Sequence, residues 1–579
     1  MSNFLPVTKK DLEKRGWKQL DIIVVTGDAY VDHPSFGPAI IARTLEAEGY
    51  KVGIISQPDW KSDTDFKKLG RPELFFGVSS GNMDSMVNHY TARRKIRTND
   101  AYSPGGKSGF RPNRATIVYT QKLRSIFKGT PVILGGIEAS MRRIPHFDYW
   151  SNKLRNSIIF DSRADILVYG MGERTIKTIA SRLKKGEEIN TMHDIPGTVV
   201  MGDELENAVT LPEFTTEFSE QDFFNMHKIF RENFQDKVLI QKFEKKYLIH
   251  NPPAKPLTTQ ELDTVYNIKF TRKQHPDYNG KAIPAFEQIK NSITVHRGCF
   301  GGCSFCAIGS HQGKTIRSRS INSIIKEIEN ISSDKSFRGT ISDIGGPSAN
   351  MYGMNCRLEI SETCKRTSCL YPVICPQLDT SHIEQKKLLK EIRASAKVKH
   401  AFISSGIRFD LALKDVDYIE IVAKYHTSGL LKLAPEHLSD EVLKLMHKPS
   451  FALYEQFHEI FSEYCQKLGK KQFIVPYIIV GHPGSNLKDT IQLAVYLKKQ
   501  DIKLKQIQQF TPTPMTESTL MYYVESDLNG QNIYVPKGRE VRLQKALVQW
   551  FVPQNKKLIF EALNKSGRKD LIGFFLNKN

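Results

Sequence analysis

The chain has 579 residues, 40% hydrophobic and 25% charged, with 83 Lys plus Arg against 62 Asp plus Glu for a net charge of +21. Such a composition excludes a disordered or fibrous chain, and no apolar run approaches the ~18 residues that cross a bilayer, so no membrane partner is expected. The length allows about two to four domains, and the positive excess favours anionic partners, nucleic acid among them.

The first residues, MSNFLPVTKKDLEKRGW, hold no apolar signal-peptide core, and a cytoplasmic protein is expected. Its eight cysteines should then stay reduced. Seven of them crowd between Cys299 and Cys375, which suggests metal chemistry.

Residues 21–26, DIIVVT, predict a buried parallel strand that stops at Gly27. After GDAYVDHPSFGP, apolar positions at helical spacing predict a helix over 39–49. More strands are predicted at 51–55, 74–77, 131–134 and 165–168. Strands alternating with helices predict an α/β fold with a parallel, doubly wound, Rossmann-like sheet, in which ligands sit at the carboxyl ends of strands. Asp28, Asp32, His33, Gly135, Gly136, Glu138, Gly170, Gly172 and Glu173 fall at such ends.

Two stretches concentrate positive charge. Residues 90–128 carry ten Lys/Arg against the single acid Asp100, and 531–579 carry ten against three. Each is either a solvated basic face or a contact for an anionic partner. GGKSG at 105–109 is not a phosphate loop: the glycine required five residues before Gly106 is Ala101, and TARRKIRTND, not a strand, leads in. Residues 99–113 read as a mobile basic loop. Residues 180–290 are charged, less regular and broken by Pro252, Pro253 and Pro256, and read as a linking region packed on the first domain.

A strand at 293–295 delivers the stretch VHRGCFGGCSFCAIGSHQGKTIRSRS, with Cys299, Cys303 and Cys306 in a C-x3-C-x2-C pattern. Three thiolates can hold three irons of a cubic 4Fe–4S cluster and leave the fourth open to a small molecule. Gly298, Gly301 and Gly302 let the backbone wrap it, and Phe300 and Phe305 would shield it. A zinc site with His296 or His311 as fourth ligand, or unliganded buried thiols, are the alternatives. Ser320 then opens a helix with Ile321, Ile324, Ile325, Ile328 and Ile331 on one face.

A strand at 339–344 ends in Gly345-Gly346-Pro347, and later strands are predicted at 400–405, 429–433, 473–480 and 506–510. In a β/α barrel such strand ends build the active site. Arg408 could there pair with a carboxylate, Glu436 could accept ribose hydroxyls, and Gly481 and Gly484 could let an adenine approach the backbone. Between them lie Cys356, Cys364, Cys369 and Cys375, either ligands of a second iron–sulfur cluster or zinc, or thiols with another role. Residues 541–551 predict the closing helix.

The C-x3-C-x2-C spacing resembles that of the radical S-adenosylmethionine (AdoMet) enzymes. The longer motifs GDAYVDHPSFG, GGIEASMRRIPHFDYW, GGPSANMYG, LKLAPEHLSD, VPYIIVGHPG and MYY resemble the YgiQ family over nearly the whole chain. The resemblance implies a cobalamin-binding-like Rossmann domain with its linking region over 1–284, a partial (β/α)6 radical SAM core over 285–555 and a basic tail over 556–579. It implies a 4Fe–4S cluster on Cys299, Cys303 and Cys306 and AdoMet bordered by Phe305, Gly345 and Gly346. It also implies reductive cleavage of AdoMet to a 5′-deoxyadenosyl radical, an electron donor such as flavodoxin or ferredoxin, and an unidentified substrate. Cobalamin itself is not expected, because the Asp-x-His-x-x-Gly motif is missing: Val31 stands two residues before His33 and Phe36 three after. Two other functions stay open, an RNA-modifying radical enzyme and a non-catalytic zinc- or metal-stabilised binding protein.

Overall fold

The computed structural model describes residues 3–576. The chain folds as two compact units. The first runs through Thr294 and takes in Ser310–Lys335 and Ile360–Lys365; the second comprises Val295–Gly309, Ser336–Glu359 and the chain from Arg366 onward.

The first unit is built on a nine-stranded sheet. Strands β1 (Ile22–Thr26), β2 (Val52–Ser56), β3 (Phe75–Ser79), β4 (Val132–Leu134) and β5 (Ile166–Val168) lie parallel in the order β2-β1-β3-β4-β5. The apolar run of β1 is legible in this register. Ile23 and Val25 face one core with Phe76, Val78 and the helix Ala115–Ile126, whose Tyr119 and Leu123 are buried there. Ile22 and Val24 face the other core with the helices Gly37–Ala47 and Glu173–Lys184. A strand covered on both faces has no polar side to alternate with.

Residues 180–290, expected to link and to pack on the first domain, contribute four strands to this sheet. Strands β6 (Thr198–Gly202), β7 (Val209–Leu211), β8 (Leu239–Phe243) and β9 (Lys246–His250) extend it beyond β5, with β6 antiparallel to β5 and to β9. Glu244, at φ +53, turns the β8–β9 hairpin. The loop expected to be mobile over 99–113 is anchored: Asp100, Ser103 and Arg111 are buried, and Arg111 bonds both Asp28 and Asp100.

The second unit is an open arc of parallel strands. The Val295 amide donates to Gly345 O. Strand β10 (Thr340–Ile341) pairs with β11 (His400–Ala401), and Ile407 bridges Leu433. Strand β12 (Leu430–Glu436) pairs with β13 (Phe473–Val480), which pairs with β14 (Gln508–Gln509). Together these make the partial (β/α)6 barrel.

The expected C-terminal tail is helical and packed. Helices Lys556–Lys565 and Ile572–Leu576 bury Ile559, Ala562, Leu563 and Phe575 against helices Leu487–Lys499 and Arg539–Val548. The spacing 559, 562, 563 is a helical stripe masked by the lysines and arginines around it. Residues 577–579 lie outside the described residues. No helix among the described residues is long and apolar enough to cross a membrane.

Candidate functional site

The cysteine loop leaves Val295 and turns at two left-handed glycines, Gly298 (φ +84) and Gly302 (φ +63). A Cβ on Gly302 would lie 2.5 Å from Ser368 Cβ, so no side chain fits there. Cys299 and Cys303 curl around Gly301: their sulfurs lie 3.3 and 3.9 Å from the point where its Cβ would stand. Cys306 closes the turn, its amide donating to Cys303 O at 3.1 Å.

Three distant segments hold this loop. Ser304 N–H donates to Met446 O at 3.1 Å, and Ser304 Oγ lies 2.7 Å from Leu445 O and 2.8 Å from Ser518 Oγ. His447 Nδ1 lies 3.1 Å from Gly302 O, with Tyr371 stacked on its ring at 4.4 Å. Ser368 Oγ donates to Gly301 O at 2.8 Å, and Cys369 N–H to Phe300 O at 3.0 Å.

Burial pushes the Cys306 thiol up to about 12, with Cys303 adding to it, and raises Cys299 in the same direction. Burial thus disfavours bare thiolates here, whose charge a bound metal would offset. Arg408 stands against that charge, its guanidinium 3.6 Å from Cys303 Sγ. Burial works against the Arg408 charge, but Asp410, gripped at 2.9 and 2.6 Å, outweighs it and keeps the guanidinium ionised. Asn350 fixes the backbone there, accepting from Arg408 N–H at 2.8 Å and donating to Arg408 O at 2.9 Å. Among the described residues no three His, Cys, Asp or Glu side chains converge on a single-ion site.

Beside the loop is a cleft of about 370 Å³, lined by Phe305, Glu436, Tyr477, Gln508, Phe510 and Thr511 among others. Glu436 takes φ +68, a rare conformation for a side-chain-bearing residue and one that gathers at functional sites. Burial raises its carboxyl pKa, opposed by Lys448, whose Nζ lies 3.8 Å away. Phe305 meets the His482 ring edge-on at 6.1 Å, and burial holds His482 neutral, its pKa down at about 3.

Of the six residues expected around AdoMet, Phe305 and Glu436 share this cleft, whereas Gly345, Gly346, Arg408 and Gly481 do not line it. A Cβ on Gly345 would lie 2.2 Å from Ser405 Oγ, and one on Gly346 2.3 Å from His296 Cε1. Protein atoms thus fill the space a side chain would need. Gly481 (φ +77) abuts Val541 and donates its amide to Gln544 Oε1 at 2.8 Å.

The later cysteines divide. Cys375 N–H donates to Cys369 O at 2.8 Å, Leu378 N–H to Cys375 O at 3.0 Å, and Cys356 bridges Leu378, so three of them share one looped segment of the second unit. Cys364 counts with the first unit. Sequence reasoning missed Ser304, Lys448, His447, His482 and Ser518; only the GHPG turn hinted at His482.

At the strand ends of the first unit the expected Asp28, Asp32, His33, Glu138 and Glu173 are buried. Glu138 accepts from the amides of Ser85 (2.7 Å) and Thr116 (3.1 Å), and Asp32 grips Arg43 at 3.0 and 2.5 Å. Gly135 and Gly136 open the turn after β4, and His311 Nδ1 lies 3.0 Å from Ser140 Oγ.

The Radical SAM N-terminal profile matches residues 4–292, the Radical SAM superfamily profile 293–497 and the domain of unknown function DUF3362 505–578. A UPF0313 protein of Methanosarcina acetivorans is 48% identical over 99% of this chain and 82% of its own. Another from Clostridium botulinum is 47% identical over 99% and 92%. Among solved structures, the radical AdoMet methyltransferase TsrM of Kitasatospora setae, with cobalamin and a [4Fe–4S] cluster bound, is similar in fold: TM-score 0.51, 12% identity, 96% of this chain and 99% of that one. The cobalamin-dependent AdoMet radical enzyme OxsB gives TM-score 0.50 at 10% identity, over 98% and 73%. With its cysteine loop, its barrel and relatives nearly half identical along the whole length, the chain belongs to the UPF0313 family of the radical SAM superfamily.

Proposed function

We propose that the protein is an enzyme that cleaves AdoMet reductively and uses the resulting 5′-deoxyadenosyl radical on a substrate still to be identified. The observation that carries this reading is the three-cysteine loop, clamped from residues 368–369, 445–447 and 517–518, with an ionised Arg408 against Cys303. A 4Fe–4S cluster on Cys299, Cys303 and Cys306 would supply the electron, received from a small donor such as flavodoxin or ferredoxin. The chain's own groups bind and orient. Phe305 offers a ring face to an adenine, and Glu436 an acceptor for ribose hydroxyls, in a cleft shielded by Phe510. Gly345, Gly346 and Gly481 take part through backbone atoms, since their side-chain space is already filled.

We propose that this chain holds no cobalamin, although both fold neighbours are cobalamin enzymes. In the first unit, the crevice between the carboxyl ends of β1 and β3 holds Asp28, which accepts from Asn82 N–H at 2.7 Å and pairs with Arg111 at 2.8 Å. His33 is fully buried, and its Nδ1 accepts from Ser35 N–H at 3.1 Å. Hydroxocobalamin added to the protein should leave on gel filtration.

The first experiment is anaerobic purification with iron, sulfide and zinc counting, then incubation with AdoMet and reductant. About four irons per chain and 5′-deoxyadenosine support the reading, whereas stoichiometric zinc without AdoMet cleavage sinks it. About eight irons, or four with one zinc, would show Cys356, Cys364, Cys369 and Cys375 loaded with metal, and four irons without zinc would leave them thiols with another role.

A further inference from the structure

The ten Lys and Arg side chains of residues 90–128 are not one basic face. Arg111 is buried between Asp28 and Asp100, Arg114 bonds Asp148, Lys122 lies 2.9 Å from Asp63, and Arg124 2.6 Å from Asp165. Arg93, Arg94, Lys95 and Arg97 have no carboxylate at ion-pair distance among the described residues, and all four stand on one small hairpin. The hairpin is ordered by its backbone. Tyr90 bridges Ile96, Thr91 N–H donates to Lys95 O at 2.9 Å, Arg94 N–H to Thr91 O at 2.8 Å, and Arg97 N–H to His89 O at 2.7 Å. Every side chain from Arg93 to Asn99 is exposed.

Aromatic rings adjoin it. The Arg94 guanidinium lies over the Tyr149 ring at 4.5 Å, Tyr149 and Trp150 meet at 4.9 Å, and Tyr90 lies 6.4 Å from Trp150. All three rings are half-buried. The hairpin follows β3 and the Tyr149–Trp150 pair follows β4, so both belong to the carboxyl edge of the parallel sheet, where α/β folds bind ligands.

We propose that this hairpin binds the phosphate backbone of a single-stranded nucleic acid, with the half-buried Tyr90 and Trp150 rings beside it to stack a base. Four uncompensated cations on a fixed scaffold attract a polyanion by releasing its counterions, and neighbouring aromatic rings add sequence-tolerant stacking. A small anion would call for cations turned into a cavity, and these point into solvent. An anionic membrane surface would call for a broad apolar face, and the hairpin offers only Ile96, 75% exposed. The surface belongs to the first unit alone and does not depend on radical chemistry.

The test is fluorescence anisotropy of a labelled oligouridylate and the matching oligothymidylate, titrated with full-length, cluster-loaded protein across a range of salt. Affinity for one or both should fall steeply with salt. The variant Arg93→Ala/Arg94→Ala/Lys95→Ala/Arg97→Ala should lower the log–log salt slope by roughly 2 to 3, at about 0.7 for each phosphate no longer neutralised. The single variant Arg94→Ala should lower it by about 0.7, which keeps the test sound if the fourfold variant misfolds. A control replacing the exposed Lys556, Lys557, Lys565 and Lys569 with alanine should bind like the parent. No binding, a flat salt response, equal loss in hairpin and control variants, or binding to phosphatidylserine vesicles but to neither oligonucleotide would each overturn the proposal. The titration needs neither AdoMet nor reductant, so its failure leaves the radical reading standing, and failure of AdoMet cleavage leaves this one standing.

Discussion

Ser518 meets Ser304 at two points. Its amide donates to Ser304 O at 2.9 Å and its hydroxyl lies 2.8 Å from Ser304 Oγ, across 214 residues of chain. The same hydroxyl lies 2.7 Å from His482 Nε2, whose Nδ1–H is given to Pro483 O at 2.7 Å. Nε2 must therefore accept, and Ser518 is its donor. Ser518→Ala leaves a buried acceptor unpaired and should cost about 1–3 kcal/mol of stability. Urea denaturation measures the loss, and the cluster absorbance should bleach faster in air than in the parent. An unchanged midpoint and bleaching rate would remove Ser518 from the clamp.

Gly346→Ala should destabilise by about 1–3 kcal/mol, because the new methyl must displace the His296 ring. The double variant Gly346→Ala/His296→Ala should recover most of that loss. Equilibrium dialysis of AdoMet on both then separates packing from cofactor contact: restored folding with lost binding would assign the glycine to AdoMet, and restored binding to packing alone.

Arg408→Ala strands Asp410, a fully buried carboxylate, and should cost roughly 3–5 kcal/mol. Arg408→Lys keeps a charge but loses the two-pronged grip, and should fall between. Removing the cation beside Cys303 should also make the cluster harder to reduce. A redox titration followed by electron paramagnetic resonance should show a more negative midpoint in Arg408→Lys as well, by a smaller amount.

Burial holds His296 and His437 neutral down to about 4 and His482 to about 3. The unfolded chain protonates them near pH ~6.5, the ordinary histidine value, so it binds more protons than the native state below that pH. Stability should hold above about pH 6.5 and fall as pH drops toward 4, by about 1.4 kcal/mol per pH unit for each histidine. Urea midpoints between pH 7.5 and 5, and an uptake of about three protons or more on unfolding near pH 5, check this. A flat profile would mean that the rings are solvated.

Where burial is two-sided and bounded by glycine, the strand is plain in the sequence: residues 22–26 read as they fold, because an apolar run stops at Gly27. The cysteine loop is equally plain, since its chemistry is local. Strands β8 and β9 are hidden by Lys242, Glu244, Lys245 and Lys246, which cluster at the exposed end of their hairpin. The clamps on the loop cannot be read at all. His447, Ser368 and Ser518 reach it from 60 to more than 200 residues away, and no periodicity encodes such an approach. Gly345 and Gly346 teach a related lesson: a glycine pair beside a ligand motif can be required by its protein neighbours.

The clamp also sets an order of events during synthesis. The three cysteines leave the ribosome more than two hundred residues before Ser518, an interval on the order of ten to forty seconds at ordinary elongation rates. Throughout it the thiols sit on a loop with its last tether unmade, open to oxygen and to stray metal. Iron–sulfur loading that produces a stable site therefore belongs after chain release, and expression conditions that slow elongation should lower cluster occupancy without lowering the yield of protein.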